Sequence, residues 1–354
     1  MKSYNEILSD VTKTATKIPQ SDYLDTGKYR IFDQGKEYSV GFSNDEQGVV
    51  SDYPYIIFGD HTRAVKYVNE PCFIGADGVK LLKVINKDFN PRFVYYNILA
   101  KPIENQGYAR HFKFLKEIQF TEKTLSVQTN IVTELDTIQS AIDNKKQQLS
   151  LLDEAVKSEF VEMFGDLDCN IKTIEQTCTM KSGTTFSKDE ENDSGEIFYI
   201  KVSGMNLPEN DKYIKTSLSF VSRKVAGKTI IPANSIIFPK RGGAIGTNKK
   251  RITEQEICID LNTMAVTPSN ELNIQYLYQY FQNLDMGKLY NGSTVPQINN
   301  KDIGPLKIKV PPLELQQQFA AFVQQIDKSK FVVKQQISDL QELLDYKMNK
   351  YFGD

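Results

Sequence analysis

A long internal repeat constrains the fold of this chain more than any other feature of its sequence. Residues 125–166 align without gaps on residues 313–354, at an offset of 188, with 12 identities over 42 positions. About 3 identities are expected from average residue frequencies, so chance does not explain the match. Weaker matches continue towards the N-terminus, pairing Phe93–Tyr96 with Tyr276–Gln279, Ile56–Phe58 with Ile236–Phe238, and Gly27 with Gly195. The chain is therefore predicted to contain two copies of one unit.

Each copy ends in a segment with the heptad pattern of a coiled coil. Apolar residues recur at alternating steps of three and four in both segments, in the same register. Neither helix can bury its apolar stripe alone, so we expect the two helices to pair antiparallel within the chain. Pairing between two chains is the alternative. The seam positions are Ile131, Leu135, Ile138, Ile142, Leu149, Leu152, Val156 and Met163, then Phe319, Val323, Ile326, Val333, Ile337, Leu340, Leu344 and Tyr351, interrupted by Lys145, Glu159, Lys330 and Lys347.

The rest of each copy is rich in short β-branched and aromatic runs bounded by Gly, Pro and Asn, which is typical of strands. The predicted fold class is α/β (α+β): two strand-rich domains separated by two long antiparallel coiled-coil helices, in a pseudo-twofold repeat. The predicted domains are 1–120 and 167–312, and the predicted long helices occupy 121–166 and 313–354.

Composition and charge narrow the function classes. The chain is 40% hydrophobic and 25% charged, and it contains no run of about 18 apolar residues. We therefore expect a soluble cytoplasmic protein without a membrane segment. Four scattered cysteines and two histidines predict neither a disulfide framework nor a metal site. The net charge is −2, but residues 170–312 carry +4 and residues 121–169 carry −6, a distribution that permits nucleic-acid binding by the β-rich bodies.

No motif in the sequence predicts catalysis. Asn90-Pro91-Arg92-Phe93 resembles the Asn-Pro-Pro-Phe/Tyr motif of amino-methyltransferases, but Arg stands at its third position and no glycine-rich cofactor turn precedes it. Asn90 as N-cap and Pro91 as first residue of a short helix explain the same letters. Ser-His-Asp, Cys-His and His-Glu-x-x-His patterns are likewise not recognisable.

Several loops combine glycine, polar and basic residues, which suits contact with nucleic acid. Lys240-Arg241 precedes the run Gly242–Gly246, and Lys249-Lys250-Arg251 follows it; a solvated hairpin with solubilising charges is the alternative. In the first copy, the loop presents Thr62 and Arg63, with Lys66 beyond. The basic segment Tyr108–Lys113 includes Arg110 and Lys113, and its counterpart Gly292–Ile298 includes Thr294 and Gln297.

The order of these features resembles the specificity subunits of type I restriction-modification enzymes. Lys181-Ser182-Gly183-Thr184-Thr185, Gly195–Ile200 and Gly292–Ile298 are similar to a target-recognition domain of that family. The run Ile308–Phe319 resembles the family's entry into its long spacer helix. The first copy departs from the pattern at Thr12–Ala15. Together with the loops above, the resemblance gives these candidate DNA-binding residues: Thr62, Arg63, Lys66, Arg110, Lys113, Lys181, Lys240, Arg241, Lys249, Thr294 and Gln297.

The resemblance implies a non-catalytic subunit that reads a bipartite double-stranded DNA target, one half-site per module. Its helices would set the half-site spacing and dock two N6-adenine methyltransferase subunits, which motor-nuclease subunits would join. S-adenosylmethionine, Mg and ATP are expected on those partners, with no cofactor and no metal in this chain. Two alternatives are a coiled-coil scaffold whose bodies bind protein or glycan, and an orphan DNA-binding protein.

Overall fold

The computed structural model describes residues 1–75, 77–107, 109–290 and 295–353. The chain divides into two compact units. Unit 1 comprises Met1–Gln147 and Val333–Asp354, and unit 2 comprises Gln148–Val332. Each unit holds one β-rich module together with parts of both long helices, α4 (Leu125–Phe164) and α9 (Leu313–Phe352), which are 40 residues each.

The first module contains two sheets. One has strand order β1-β8-β5-β6 and is antiparallel throughout, and the other has the order β2-β7-β3-β4 with β7 parallel to both neighbours. Its elements are α1 (Tyr4–Ile7), β1 (Leu8–Asp10), β2 (Lys17–Ile18), β3 (Tyr29–Phe32), β4 (Gly41–Ser43), β5 (Tyr55–Gly59), β6 (Val65–Val68), β7 (Cys72–Gly75), β8 (Val79–Val84), α2 (Pro91–Leu99) and α3 (Phe112–Leu115), with 3₁₀ turns at Thr12–Thr14 and Gln20–Asp22.

The second module has a similar plan, with five strands in one sheet and three in the other. Its sheets have strand orders β10-β17-β14-β15-β12 and β13-β11-β16, and a two-stranded ladder joins β9 to β18. Its elements are β9 (Asn170–Thr173), α5 (Ile174–Thr177), β10 (Cys178–Ser182), β11 (Ile197–Ile200), β12 (Tyr213–Ile214), β13 (Phe220–Val221), α6 (Arg223–Ala226), β14 (Ile236–Pro239), β15 (Arg251–Thr253), β16 (Ile257–Ile259), β17 (Thr263–Pro268), α7 (Ile274–Gln282), α8 (Asn300–Ile303) and β18 (Lys307–Val310), with 3₁₀ turns at Gly204–Asn206, Pro208–Asn210, Gly227–Thr229, Gly242–Thr247 and Met286–Lys288.

Corresponding strands occupy corresponding places in the two modules, as the sequence repeat predicts. The central strands β5 and β14 are buried on both faces, which explains their unbroken apolar runs. Ile57 packs between the two sheets while Ile56 and Phe58 face α2 and the long helices. The paired glycines also correspond, since a Cβ on Gly27 would lie 2.8 Å from Cβ of Phe42 and one on Gly195 would lie 3.0 Å from Cβ of Phe220.

A buried glutamine fastens the start of each long helix to its module. Gln128 Nε2 donates to the carbonyls of Asp88 and Lys123, both at 2.8 Å, and its Oε1 accepts from Asn90 N at 2.8 Å. Gln316 forms the same three bonds. Its Nε2 donates to Glu271 O (2.9 Å) and Pro311 O (2.8 Å), and its Oε1 accepts from Asn273 N (2.8 Å). Asn90 and Asn273 are the N-caps of α2 and α7, as the Asn90-Pro91 pattern predicted for α2.

The predicted helix pair forms within one chain. In unit 2, Lys330 Nζ donates to Asp153 and Phe319 packs against Phe160 and Phe164, so the contacts run in opposite directions along α4 and α9. In unit 1, Glu134 accepts from Lys347 and Tyr351. All sixteen predicted seam residues are buried or half-buried. The antiparallel coiled coil and the mixed α/β fold class are therefore confirmed.

Replacing Gln316 with Leu tests this helix anchor. The substitution leaves one buried N–H and two carbonyls without their amide partner, so we predict that it destabilises the protein by about 2–4 kcal/mol. Gln128→Leu is expected to have a similar effect. The measurement is the free energy of unfolding in urea. Gln317→Leu, at the exposed neighbouring position, is the control and is expected to change stability by less than about 0.5 kcal/mol. Equal stabilities for Gln316→Leu and Gln317→Leu would contradict the anchor.

Candidate nucleic-acid interface

Two segments of the second module meet beside its glycine-rich run. Gly242 N donates to Pro296 O and Ile298 N donates to Lys240 O, both at 2.8 Å, forming an isolated antiparallel bridge. This bridge places Arg241 opposite Gln297, two candidates that are 56 residues apart in sequence. The structure thus brings together the glycine-rich loop and the polar segment, which are distant in sequence.

Lys240 extends this arrangement towards the end of β10. Its Nζ donates to Ser182 Oγ at 2.8 Å, and partial burial together with the neighbouring Arg241 lowers the pKa of the Lys240 ammonium. We call Ser182, Lys240, Arg241 and Gln297 the basic surface. Arg241 and Ser182 are exposed on it. A guanidinium and an ammonium beside hydroxyl and amide groups suit contact with phosphates and base edges.

Gly183 fixes the approach of the Lys181-Ser182-Gly183 run to the neighbouring turn. A Cβ on Gly183 would lie 2.0 Å from Asp260 O and 2.3 Å from Ile259 O, so only glycine fits. Thr184 N then donates to Ile259 O at 3.0 Å. The motif that carries the family resemblance therefore has a packing role, and this role positions Ser182 next to Lys240.

Two other basic candidates of the second module lie outside the basic surface. Lys181 Nζ donates to Lys228 O and, at 3.0 Å, to Ile230 O, because successive side chains of β10 point to opposite faces. Lys249 Nζ donates to Asn206 Oδ1. Thr294, the remaining candidate of this module, lies outside the described residues.

In the first module, Lys66 does not fit its predicted contact with DNA. Its side chain is 5% exposed, and its Nζ donates to Asp33 O at 2.9 Å and to Asp33 Oδ1 at 3.3 Å. Burial lowers the pKa of this ammonium. The alternation of side chains along β6 directs Lys66 inwards. There its ammonium bonds to Asp33, in the segment after β3, and stabilises the fold.

Thr62 and Arg63 lie in the turn between β5 and β6, and both make internal contacts. Thr62 Oγ1 donates to Gln34 O. Arg63 has a φ of 62°, and its Nη1 donates to Ile103 O at 3.2 Å. Both side chains remain half-buried.

Arg110 and Lys113 are the exposed candidates of the first module. Between them His111 is fully buried, with Nδ1 3.0 Å from Asp60 O and Nε2 accepting from Gln106 N at 3.1 Å. This histidine anchors the segment so that Arg110 and Lys113 face outwards. Lys113 Nζ lies 4.7 Å from the ring centroid of Phe114.

Sequence reasoning missed Lys250, the buried member of the Lys249-Lys250-Arg251 run. Its side chain is fully buried, and its Nζ donates to Asn248 Oδ1 (2.7 Å) and Leu284 O (2.8 Å). Burial lowers the pKa of Lys250 to about 8, and the nearby Asp285 carboxylate opposes the shift. A run of three basic residues gives no sign of which one points inwards. Only the position of Lys250, immediately before β15, could have indicated that its side chain points inwards.

Groups that could support other chemistry are few in the part of the chain that the structure describes. Within residues 1–75, 77–107, 109–290 and 295–353, no cluster of three or more His, Cys, Asp or Glu side chains could hold a metal ion. The four cysteines are free thiols. Over the same ranges, no helix combines the length and the apolar character that a membrane span needs.

Comparison with known proteins agrees with this architecture. Residues 167–342 match the model of the type I restriction modification DNA specificity domain. The specificity subunit of the Escherichia coli enzyme EcoR124I/EcoR124II is 24% identical over 356 residues, covering 90% of this chain and 85% of that subunit. The MjaIX specificity subunit of Methanocaldococcus jannaschii is 25% identical over 267 residues, covering 68% and 61%.

Solved structures share the fold along its whole length. The S subunit of the M. genitalium type I restriction-modification system superposes with a TM-score of 0.59 at 15% identity, covering 100% of this chain and 96% of that one. A further chain, from a study of complex assembly and conformational transition of the type I system, gives 0.50 at 12% identity and 99% coverage of both. Residues 167–342 thus fall in the class of DNA specificity domains. Over 90% of its length the chain is similar to a type I restriction-modification specificity subunit.

Lys250 generates a pH prediction. An unfolded lysine titrates near pH 10.4, so above pH 8 the unfolded chain holds more protons than the folded one. The contribution of Lys250 to the free energy of unfolding therefore rises with pH between about 8 and about 10.4, and it is lost as pH falls through about 8. We predict that the protein gains on the order of 2 kcal/mol relative to Lys250→Met between pH 8 and about 9.5. Urea unfolding at several pH values measures the difference. The exposed Lys224→Met is the control, and parallel curves for wild type and Lys250→Met would contradict the shift.

Proposed function

We propose that this chain supplies the DNA sequence specificity of a type I restriction-modification complex, with each module reading one half of a bipartite double-stranded target. The observation that carries the proposal is the repetition of one module, whose second copy matches the DNA specificity domain and bears the basic surface. Two readers in one chain bind a two-part target more tightly and more selectively than either alone, because the second contact is intramolecular.

The long helices are the proposed docking surface for two N6-adenine methyltransferase subunits, which motor-nuclease subunits join. Large apolar side chains remain exposed on the helix segments of unit 2, away from the paired seam. Val161 is 62% exposed and Phe331 is 70% exposed, and Leu151 and Val332 are exposed as well. Apolar groups at such positions favour burial against another chain. In this proposal the chain is non-catalytic, and S-adenosylmethionine, Mg and ATP bind to the partner subunits.

Co-purification from the native host tests the assembly and the absence of methyl transfer together. We predict that mass spectrometry of the purified complex identifies adenine methyltransferase subunits. The chain alone is expected to incorporate no label from S-adenosylmethionine into mixed DNA, whereas the complex does. A scaffold protein for other ligands would co-purify without a methyltransferase. Incorporation by the chain alone would contradict the non-catalytic assignment.

The basic surface predicts a salt-dependent contribution to DNA binding. Lys240→Ala with Arg241→Ala, assayed in the methyltransferase complex, is expected to weaken binding and to flatten the dependence of log affinity on log salt by up to about two phosphate contacts. Fluorescence anisotropy at several salt concentrations measures both effects. The matched control is Arg223→Ala with Lys224→Ala, an exposed basic pair of the same module. Identical salt slopes for the two double variants would return Lys240 and Arg241 to the solvated-hairpin interpretation.

A further inference from the structure

One joint occurs in both modules at the same place in the repeat. In the second module, Lys250 Nζ donates to Leu284 O at 2.8 Å. In the first module, Arg63 Nη1 donates to Ile103 O at 3.2 Å. Each cation lies between corresponding strands, β5 and β6 or β14 and β15, and each carbonyl lies just after the corresponding short helix, α2 or α7. A charged side chain thus fastens one loop to another in both copies.

The joint of the second module includes a further polar side chain. Asn248 Oδ1 accepts from Lys250 Nζ at 2.7 Å and from Met286 N at 3.0 Å. Asn248 has a φ of 54° and ends the 3₁₀ turn Gly242–Thr247. In the first module, Arg63 itself has the positive φ. Each joint therefore combines a left-handed residue in the turn with hydrogen bonds to the backbone after the short helix.

Each joint connects segments that carry candidate residues, of which Arg241, Arg110 and Lys113 are exposed. In the second module, one side is the turn that follows Lys240 and Arg241, and the chain beyond the other side returns as Pro296–Ile298 to pair with them. In the first module, one side is the turn after β5, and the chain beyond Ile103 leads to Arg110 and Lys113. The hydrogen bonds that define both joints are made to protein groups, so in this inference the joints act on a ligand through the loops they connect.

We propose that Asn248 with Lys250, and Arg63, are positioning residues that set the geometry of the recognition loops, so that each joint controls the bases read by its own module. The inference rests on the proposed function. Base discrimination depends on hydrogen bonds of fixed direction, whereas phosphate attraction tolerates displacement. Loss of a joint therefore relaxes sequence selectivity at one half-site, by about tenfold at an affected base pair, and leaves non-specific affinity nearly unchanged.

Glycine substitutions at the left-handed positions test the joints without straining the backbone, because glycine adopts positive φ freely. Asn248→Gly removes one of the two acceptors of Lys250 and the acceptor of Met286 N, and Arg63→Gly removes the guanidinium. The matched control is Asn234→Gly, an exposed residue of the second module with a φ of 58° that takes no part in a joint. Lys250→Met removes the same joint while keeping an apolar chain in the buried site. It is the second variant should Asn248→Gly fail to fold.

Genome-wide mapping of methylated adenines by the assembled complex is the readout. Asn248→Gly and Lys250→Met are expected to relax one half of the recognised sequence, Arg63→Gly the other half, and Asn234→Gly neither. A variant that stops methylating is compared by competition binding at low salt, where retained affinity with reduced preference for the target supports the proposal. An unchanged motif in the joint variants, or relaxation of the same half by Asn248→Gly and Arg63→Gly, overturns it. A wild-type complex without sequence-specific methylation counts against the proposed function instead.

Discussion

The side-chain amides of Gln128 and Gln316 attach the start of each long helix to its module, and the architecture depends on these two attachments. A 40-residue helix that leaves a β-rich module must keep one face against that module from its first turn, and the first turn has unpaired backbone groups. Each glutamine satisfies a backbone N–H and two carbonyls, and these belong to the loop before the short helix and to the segment before the long helix. Because both amides are fully buried, water cannot readily take the place of these partners, and loss of the bonds would lower the free energy of unfolding.

The far ends of the long helices are held by aromatic packing. In unit 2, the ring of Phe164 lies 4.8 Å from that of Tyr276 on α7, and Lys309 Nζ donates to Gly165 O at 2.7 Å. In unit 1, the ring of Phe352 lies 5.0 Å from that of Phe93 on α2. Each short helix thus contacts the beginning of one long helix and the end of the other. This arrangement explains why the repeat extends to Phe164 and Phe352, beyond the last seam positions.

The scaffold could be predicted from the sequence because its patterns repeat over long distances. The candidate interface was much less predictable, because it depends on the direction in which individual side chains point. The helices and the strand runs of both modules follow from patterns that extend over many residues. By contrast, Lys66 and Lys250 look like solvated charges in sequence, yet both are buried and donate to main-chain carbonyls. A basic residue has the same letter whether it faces a ligand or closes a loop, and only the register of the strand beside it separates the two cases. The contact between Arg241 and Gln297 was equally hidden, because the segments that form it are distant in sequence.

The two modules divide their residues into a shared frame and an individual surface. Strand order, N-caps, glutamine anchors and the cationic joint recur in both copies, although several use different residues, such as Arg63 where the second copy uses Lys250. The candidate contact groups differ more: the second module gathers the partly exposed Lys240 and Gln297 and the exposed Arg241 around a bridge, whereas the first exposes Arg110 and Lys113 on either side of a buried histidine. Such a division suits a protein that must read two different sequences with one fold. The buried side chains of Gln128, Gln316 and Lys250 are hydrogen-bonded to the main chain, which rigidifies the frame, so the direction of each exposed donor is set by the loop that carries it.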